Sequence, residues 1–145
     1  MSRTTAGRSL LTFAVASFAA INLLADWNRT HVFNPTWPPH ARFHAADMSV
    51  IVWGVSAIAV WLLWRRSTEP EVAVRVALLI SVVLWSPFLY VTLLVPGTSL
   101  YVSGAPPAVQ HTIAGMIIEP QVVLAILFLL LAAWGYRLAV RPVPR

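Results

Sequence analysis

The sequence contains no cysteine and few charged side chains, and both absences narrow the kind of protein that it can encode. Without cysteine the chain has no disulfide scaffold, no thiol nucleophile and no thiolate-ligated zinc or iron–sulfur centre. Charged residues make up only 10% of the 145 residues, whereas about a quarter is usual for a soluble domain. Hydrophobic residues make up 59%. The composition therefore indicates a single domain embedded in a membrane.

Lysine is also absent, so every basic residue is an arginine. The arginines are scattered between apolar blocks instead of forming one basic patch, although the formal net charge is +5. This distribution is typical of residues that flank membrane spans. We therefore expect a lipid bilayer as partner and no nucleic acid.

Long uncharged stretches predict four transmembrane helices, since about 20 apolar residues cross a bilayer. The expected spans are roughly residues 9–26, 40–64, 71–95 and 108–136. We therefore predict an all-α fold, an integral membrane four-helix bundle that forms one transmembrane domain over residues 1–145. The order of the spans leaves open whether the bundle is a monomer or a homo-oligomer.

The positions of the arginines predict how the bundle is oriented. Arg3 and Arg8 precede the first span, Arg65 and Arg66 follow the second, and Arg137 follows the fourth. Because cytoplasmic flanks are rich in arginine, both termini are expected in the cytoplasm. The long, structured first loop is then on the outer side, as in a multi-pass protein of a bacterial inner membrane.

Three carboxylates are predicted to share one layer of the bundle. Asp26, Asp47 and Glu119 each lie 18 positions along the chain from an arginine at the cytoplasmic side, which is roughly 27 Å of helix. Asp47 and Glu119 are expected partway down long helices, where an acid favours the bundle interior over lipid. The alternative is that all three acids only mark the membrane interface.

The second predicted helix adds two histidines to this layer. His40, His44 and Asp47 fall at i, i+4 and i+7, on one face of the helix. With Glu119 they could ligate iron or zinc, and a bis-histidine haem could form with His111. A third interpretation is that the histidines only cap the start of the helix.

The leading functional hypothesis is acid–base conversion of a small lipophilic molecule without a cofactor. Asp47 and Glu119 would donate and accept the proton, His44 would tune them, and Asp26 would be a third carboxyl group. Burial favours the uncharged form of a carboxyl group, and a histidine nearby can hold the proton. Isomerisation, cyclisation or epoxide opening of a terpenoid or sterol-like compound would suit such a site, so we expect an enzyme of the isomerase or cyclase type.

Aromatic and polar residues close to the same layer are the predicted contacts for this substrate. They are Asn22, Trp27, Phe33, Trp37, Trp85 and Tyr90. Two other functions stay open: a metal- or haem-dependent membrane oxidoreductase, and a protein that binds a lipid or cationic amphiphile without converting it.

Several segments resemble the EXPERA families, the four-helix core shared by the sterol Δ8–Δ7 isomerase and the sigma-two receptor. The segments are "NLLAD", "PPHARFHAAD", "WSPFLY" and "IIEPQVVLAI". The resemblance implies a membrane pocket for sterol-like or cationic amphipathic molecules, with Asp26 and Asp47 as its acids and His44 as the accompanying histidine. Those families usually carry Glu where Asp47 stands. The segment "DWNRTHVFNPTWPPHARFH" also resembles the signature of a family of small uncharacterised four-span membrane proteins.

Overall fold

The protein is mainly helical, with one short pair of strands, in the part of the chain that its computed structural model describes, which is residues 1–100, 111–113 and 116–140. Of residues 111–113 and 116–118 only the backbone is described. The elements in chain order are α1 (Arg3–Asp26), α2 (Pro39–Trp64), α3 (Pro70–Trp85), α4 (Pro87–Leu94), β1 (His111–Ile113), β2 (Met116–Ile118) and α5 (Pro120–Ala139).

Three of these helices, α1, α2 and α5, are long and apolar enough to cross a bilayer. Helices α3 and α4 meet at an angle of 44°, and together they count as a fourth span if the bent pair forms one. The bend lies at Pro87, which has no N–H to continue the helical hydrogen bonds. Ser86 N still donates to Val82 O at 2.9 Å, and the pattern of α3 ends there. The sequence predicted a kink at this proline, and the structure has a break.

The predicted and observed ends of the first two helices are close. Helix α1 ends at Asp26, as the predicted span does, and begins earlier, at Arg3, where Ser2 Oγ accepts from Thr5 N at 3.1 Å. Helix α2 begins at Pro39, a position where a proline loses no needed hydrogen bond.

The expectation that the fourth helix starts near residue 108 is wrong for the described residues. Residues 111–113 and 116–118 form an antiparallel pair of strands, and α5 begins only at Pro120. Residues 108–110 and 114–115 lie outside the described part. The proline ring disfavours a helical backbone at the residue before it, and Glu119 accordingly has an extended ψ of 115°. Glu119 is therefore the N-cap residue of α5 and does not lie partway down a helix.

Helix α1 lies at the centre of the bundle, where it packs against α2, α3 and α5. Its contact with α5 is made by glycine and alanine: a methyl group built on Gly7 would overlap the backbone nitrogen of Ala139 and the carbonyl oxygen of Gly135. Small residues let helix backbones approach closely, which is how transmembrane helices gain packing energy. Because Gly7 lies against Gly135, α1 and α5 run antiparallel, and Asp26 and Glu119 are at the same end of the bundle.

Trp85 joins α3 to the centre of the bundle. It is 2% exposed, and its Nε1 donates to Ala14 O on α1 at 2.9 Å. Its ring stacks on Phe128 of α5 at 4.5 Å between centroids and meets the edge of Phe18 at 4.8 Å. A buried indole needs a partner for its N–H, and this one is found on a neighbouring helix. Trp85 thus fixes how close α1, α3 and α5 are to one another.

Candidate functional site

A pocket of about 300 Å³ opens at the end of the bundle that holds Asp26. We call it the Asp26 pocket. Its polar lining consists of Asn22, Asp26, His31, Ser99 and Gln121. Its apolar lining consists of Phe18, Ile21, Ala25, Trp85, Phe88 and Leu100. Pockets for small ligands have this size and this mixture of an apolar wall with a few convergent polar groups.

Asp26 is held on two sides by neighbouring side chains. Asn22, which is 8% exposed, donates from Nδ2 to Asp26 Oδ2 at 2.6 Å. On the other side, His31 Nε2 lies 3.8 Å from Asp26 Oδ1, with the two side chains 29% and 36% exposed. Asn22 lies one turn before Asp26 on α1, whereas His31 comes from the loop after it. The helix therefore fixes one oxygen of the carboxylate, and the loop brings an imidazole to the other.

Asn28 fixes the start of this loop against the end of α1. Its Nδ2 donates to the carbonyl oxygens of Leu24 at 3.1 Å and Ala25 at 2.7 Å, which have no intrahelical donors. This sets the orientation of the amide, so that Asn28 Oδ1 can only accept. It accepts from Thr30 N at 2.7 Å and from Thr30 Oγ1 at 2.6 Å.

The hydrogen-bond pattern also assigns the proton on His31. Thr30 has one hydroxyl hydrogen, which goes to Asn28, so His31 Nδ1, 2.8 Å from Thr30 Oγ1, must donate to that oxygen. In a neutral imidazole Nε2 would then face the Asp26 carboxylate with a lone pair. Nε2 is therefore the imidazole nitrogen directed toward the Asp26 carboxylate, at 3.8 Å from Oδ1, which is too long for a direct hydrogen bond.

Two buried polar atoms of residues that line the pocket are acceptors without a partner among the described residues. They are Asn22 Oδ1 and Gln121 Oε1. The amide nitrogen of Gln121 is used, since it donates to Leu100 O at 3.2 Å. Buried polar groups in native structures are nearly always satisfied, so two orphaned acceptors beside a carboxylate favour a ligand that donates hydrogen bonds.

The model of a family of unknown function, DUF6640, matches residues 11–144. The chain belongs to this family. No curated protein and no solved structure matches the chain. Every residue that lines the Asp26 pocket falls within the match, so the pocket lies in the part of the chain that makes it a DUF6640 protein.

Three of the residues predicted from the sequence meet in the pocket of this DUF6640 protein: Asn22, Asp26 and Trp85. Glu119 lies at the same end of the bundle but is not among the lining residues. Its Oε2 is buried without a hydrogen-bond partner in the described residues. Tyr90 lies on α4 with 42% of its surface exposed and does not line the pocket either.

The expectation that Asp47 faces the bundle interior is wrong. Asp47, His40 and His44 are all exposed. The buried face of α2 consists instead of Ser49, Val52, Ser56, Ala59 and Leu63. Asp47 precedes Ser49 by two residues, which is about 200° around a helix, so it lies on nearly the opposite face. The predicted catalytic pair of Asp47 and Glu119, with His44 beside it, is not brought together in the pocket.

The alternative metal site is not assembled in the described part of the chain. His40 Nε2 and His44 Nε2 are 3.0 Å apart, as the His-x3-His spacing predicts. Yet no three histidine, aspartate or glutamate side chains there form a group that could hold a metal ion. The two histidines point away from the bundle, and Glu119 is on another helix. Of His111, the proposed second haem ligand, only the backbone is described.

The remaining predicted contacts pack the first loop and do not line the pocket. Trp27 lies 5.6 Å from Phe33 and 5.1 Å from Trp53 of α2, between ring centroids. Trp37 meets His31 edge-on at 5.5 Å. These rings therefore act on the site indirectly, because they hold the loop that carries His31.

Sequence reasoning missed His31 and Gln121 as site residues. A signal for His31 was present in the twice-repeated spacing Asn-x-Thr, at Asn28 with Thr30 and at Asn34 with Thr36. In both repeats the asparagine Oδ1 accepts from the backbone N–H and the hydroxyl of the threonine, which is the turn that Asn favours. Two such turns in succession indicate a loop with a fixed backbone conformation. A histidine between the two turns is therefore held in a defined position. For Gln121 we find no comparable signal.

Proposed function

We propose that this protein binds a small lipophilic molecule within the membrane. The polar group of this molecule donates hydrogen bonds, as a protonated amine or a hydroxyl group does. The observation that carries the proposal is the polarity of the Asp26 pocket, where the unpartnered atoms of Asn22 and Gln121 are both acceptors. The rings of Phe18, Trp85 and Phe88 form an apolar wall for the body of the molecule. The resemblance to the EXPERA families, which stays a prediction, implies the same ligand class.

We further propose that the Asp26–His31 pair exchanges a proton with the bound molecule, which makes the protein an enzyme of the isomerase type. A shift of a double bond adds a proton at one carbon and removes one from another, so it needs no oxidant or reductant. One proton held between a carboxylate and an imidazole can serve as both donor and acceptor. In this proposal Asp26 and His31 take the roles that the sequence suggested for Asp47, Glu119 and His44. Cyclisation or epoxide opening would use the same proton.

The binding proposal is tested with two amphiphiles that share a chain length and differ in the sign of the head, decylamine and decanoate. The purified protein is placed in nanodiscs of zwitterionic lipid, and binding is measured by calorimetry against empty nanodiscs. We expect decylamine to bind saturably and decanoate not to bind. Asp26→Asn should weaken decylamine binding by about tenfold or more, since it removes a hydrogen bond to a charged group.

Asp47→Asn is the matched control, because Asp47 is an exposed acid near the same end of the bundle. It should leave the affinity unchanged. Equal losses in the two variants, or equal binding of decanoate, would contradict the proposal.

Proton exchange is tested separately, on lipophiles that co-purify and are identified by mass spectrometry. Incubation in D₂O should add deuterium to such a molecule with the wild-type protein and not with Asp26→Asn; binding without exchange would reduce the function to binding alone.

We also propose that α3 and α4 form one bent span, which gives four spans with both termini in the cytoplasm and the first loop on the outer side of a bacterial inner membrane. The arginine distribution supports this orientation. Since the chain has no cysteine, single-cysteine variants can be labelled in intact cells with a membrane-impermeant maleimide. Thr36→Cys in the first loop should react from outside and Thr68→Cys only after lysis. The reverse pattern would invert the topology.

A further inference from the structure

A second cavity lies on the side of the bundle, away from the lining of the Asp26 pocket, between α1 and α2. It is an open groove of about 630 Å³. The α1 side consists of Ala16, Ala19, Ala20 and Leu23, and the α2 side includes Trp53 and Ser56. The alanines leave a shallow, smooth wall, and the groove is almost wholly apolar. Besides the indole of the exposed Trp61, its polar atoms are two buried groups on α2, Trp53 Nε1 and Ser56 Oγ.

Those two groups are hydrogen-bond donors without a partner among the residues that the structure describes. Ser56 is 3% exposed, and neither its Oγ nor Trp53 Nε1 is hydrogen-bonded. Other buried serines behave differently: Ser49 donates to Ala45 O and Ser81 donates to Ala77 O, both at 2.9 Å. A serine in a membrane helix normally donates its hydroxyl hydrogen to the carbonyl oxygen four residues earlier. Ser56 is the exception, and it lines the groove.

The depth of the groove excludes water and phospholipid carbonyls as ordinary partners. Trp53 and Ser56 precede Arg65, at the end of α2, by 12 and 9 residues, which is roughly 18 and 13 Å of helix. In a hydrocarbon layer about 30 Å thick both lie near the middle. Water does not satisfy polar groups there, and the ester carbonyls of lipids lie at the edges of that layer.

We propose that this groove binds a flat apolar molecule through a single carbonyl oxygen. Trp53 and Ser56 are three residues apart on α2 and therefore on the same side of it. The indole N–H is only a donor, and the serine hydroxyl is free to donate. A carbonyl oxygen has two lone pairs and can accept a hydrogen bond from each of these two donors, whereas a protonated amine has no lone pair to accept one. The groove therefore takes a ketone or quinone, the opposite polarity to the Asp26 pocket, and it is a separate site from the one assigned above.

The test uses two probes with the same ring skeleton, α-tetralone, which has a carbonyl group, and tetralin, which has none. The readout is the indole ¹H–¹⁵N signal of Trp53 in nanodiscs, identified by its loss in Trp53→Phe. We expect α-tetralone to shift this signal saturably and tetralin to leave it in place. Ser56→Ala should weaken α-tetralone binding by about threefold or more, the loss of one hydrogen bond.

Ser49→Ala is the matched control, because it removes a buried serine on the same helix whose hydroxyl already has a partner. It should leave α-tetralone binding unchanged. An unshifted Trp53 signal, equal shifts with both probes, or equal effects of the two serine variants would overturn the proposal. Asp26→Asn should not alter α-tetralone binding, so failure of this proposal and failure of the proposed function are distinguishable.

Discussion

The two ends of the helix bundle are built on different principles. At the end that holds Gly7 and Gly135, α1 and α5 touch through their backbones, with no room for a methyl group between them. At the end that holds Asp26, α4 bends away at Pro87, α5 begins only at Pro120, and a pocket lies between the helices. The first end is held by this backbone contact, although a cavity of about 500 Å³ lies beside it and Arg8 Nε is buried there without a partner in the described residues. At the second end the unpartnered buried atoms are acceptors, on Asn22, Glu119 and Gln121.

This difference indicates which end is held by close packing and which end leaves room for the proposed ligand. Lipid tails are as apolar as the side chains, so helices associate in a bilayer through close packing rather than by burial from water. The glycine end supplies that packing. The Asp26 end is packed less closely, and the half-buried Asp26 carboxylate and the unpaired amide oxygens of Asn22 and Gln121 there are costly features in a bilayer.

Breaking the tight end should have the largest effect on stability. Gly7→Ala places a methyl group against the backbone of α5, which cannot move aside as a side chain could. We expect the two helices to separate and the free energy of unfolding to fall by about 1–3 kcal/mol, the usual cost of overpacking. Thermal unfolding of the detergent-purified protein, followed by circular dichroism, measures this loss.

The matched control is Gly54→Ala on α2, where an added methyl group meets nothing within 4 Å. In a helix this change gains up to about 1 kcal/mol, so the unfolding midpoint should stay or rise. If both variants unfold at the same temperature, the glycine contact does not hold the bundle together.

A smaller effect is expected from loosening the loop at the Asp26 end. Thr30→Val removes the hydroxyl group that accepts from His31 Nδ1 and donates to Asn28 Oδ1. His31 should then lose its fixed orientation toward Asp26, and decylamine binding should weaken by about threefold, the value of one neutral hydrogen bond. The stability of the bundle should not change measurably.

Thr36→Val is the control for this change, because Thr36 occupies the equivalent position in the second Asn-x-Thr turn and has no contact with His31 among its hydrogen bonds. Its affinity for decylamine should equal that of the wild type. Equal weakening in both variants would mean that the loop acts as a whole and that the contact between Thr30 and His31 is not special.

Much of the helical pattern was predictable from the sequence, because charges and prolines punctuate it. Asp26 ends α1, Pro39 begins α2, and Pro87 divides the third apolar stretch. Pro120 was equally visible, yet the uncharged residues before it were assigned to a helix. The prediction relied on the length of the apolar stretch. The restriction that Pro120 places on the backbone of the residue before it decided where the helix begins.

The orientation of α2 was not predictable by the usual rule for soluble proteins. Periodicity correctly placed His40, His44 and Asp47 on one face, but it did not say which face is buried. In a membrane both faces are apolar, and the small residues indicate the contact with neighbouring helices. Ser49 and Ser56 lie on that buried face. A prediction based on the positions of small residues would have placed Asp47 on the outer face of α2. Asp26 would then have been the acid predicted to be sheltered.

The two asparagine turns of the first loop have a consequence for the affinity of the site. A flexible loop must be ordered when a ligand arrives, and that loss of entropy weakens binding. Here Asn28 and Asn34 fix the loop through their own side chains, and Trp37 packs on the ring of His31. The loop is preorganised, so its entropy is lost when the protein folds. If the proposed ligand binds at Asp26, its affinity then reflects the contacts themselves, and even a small molecule with few polar atoms would bind selectively.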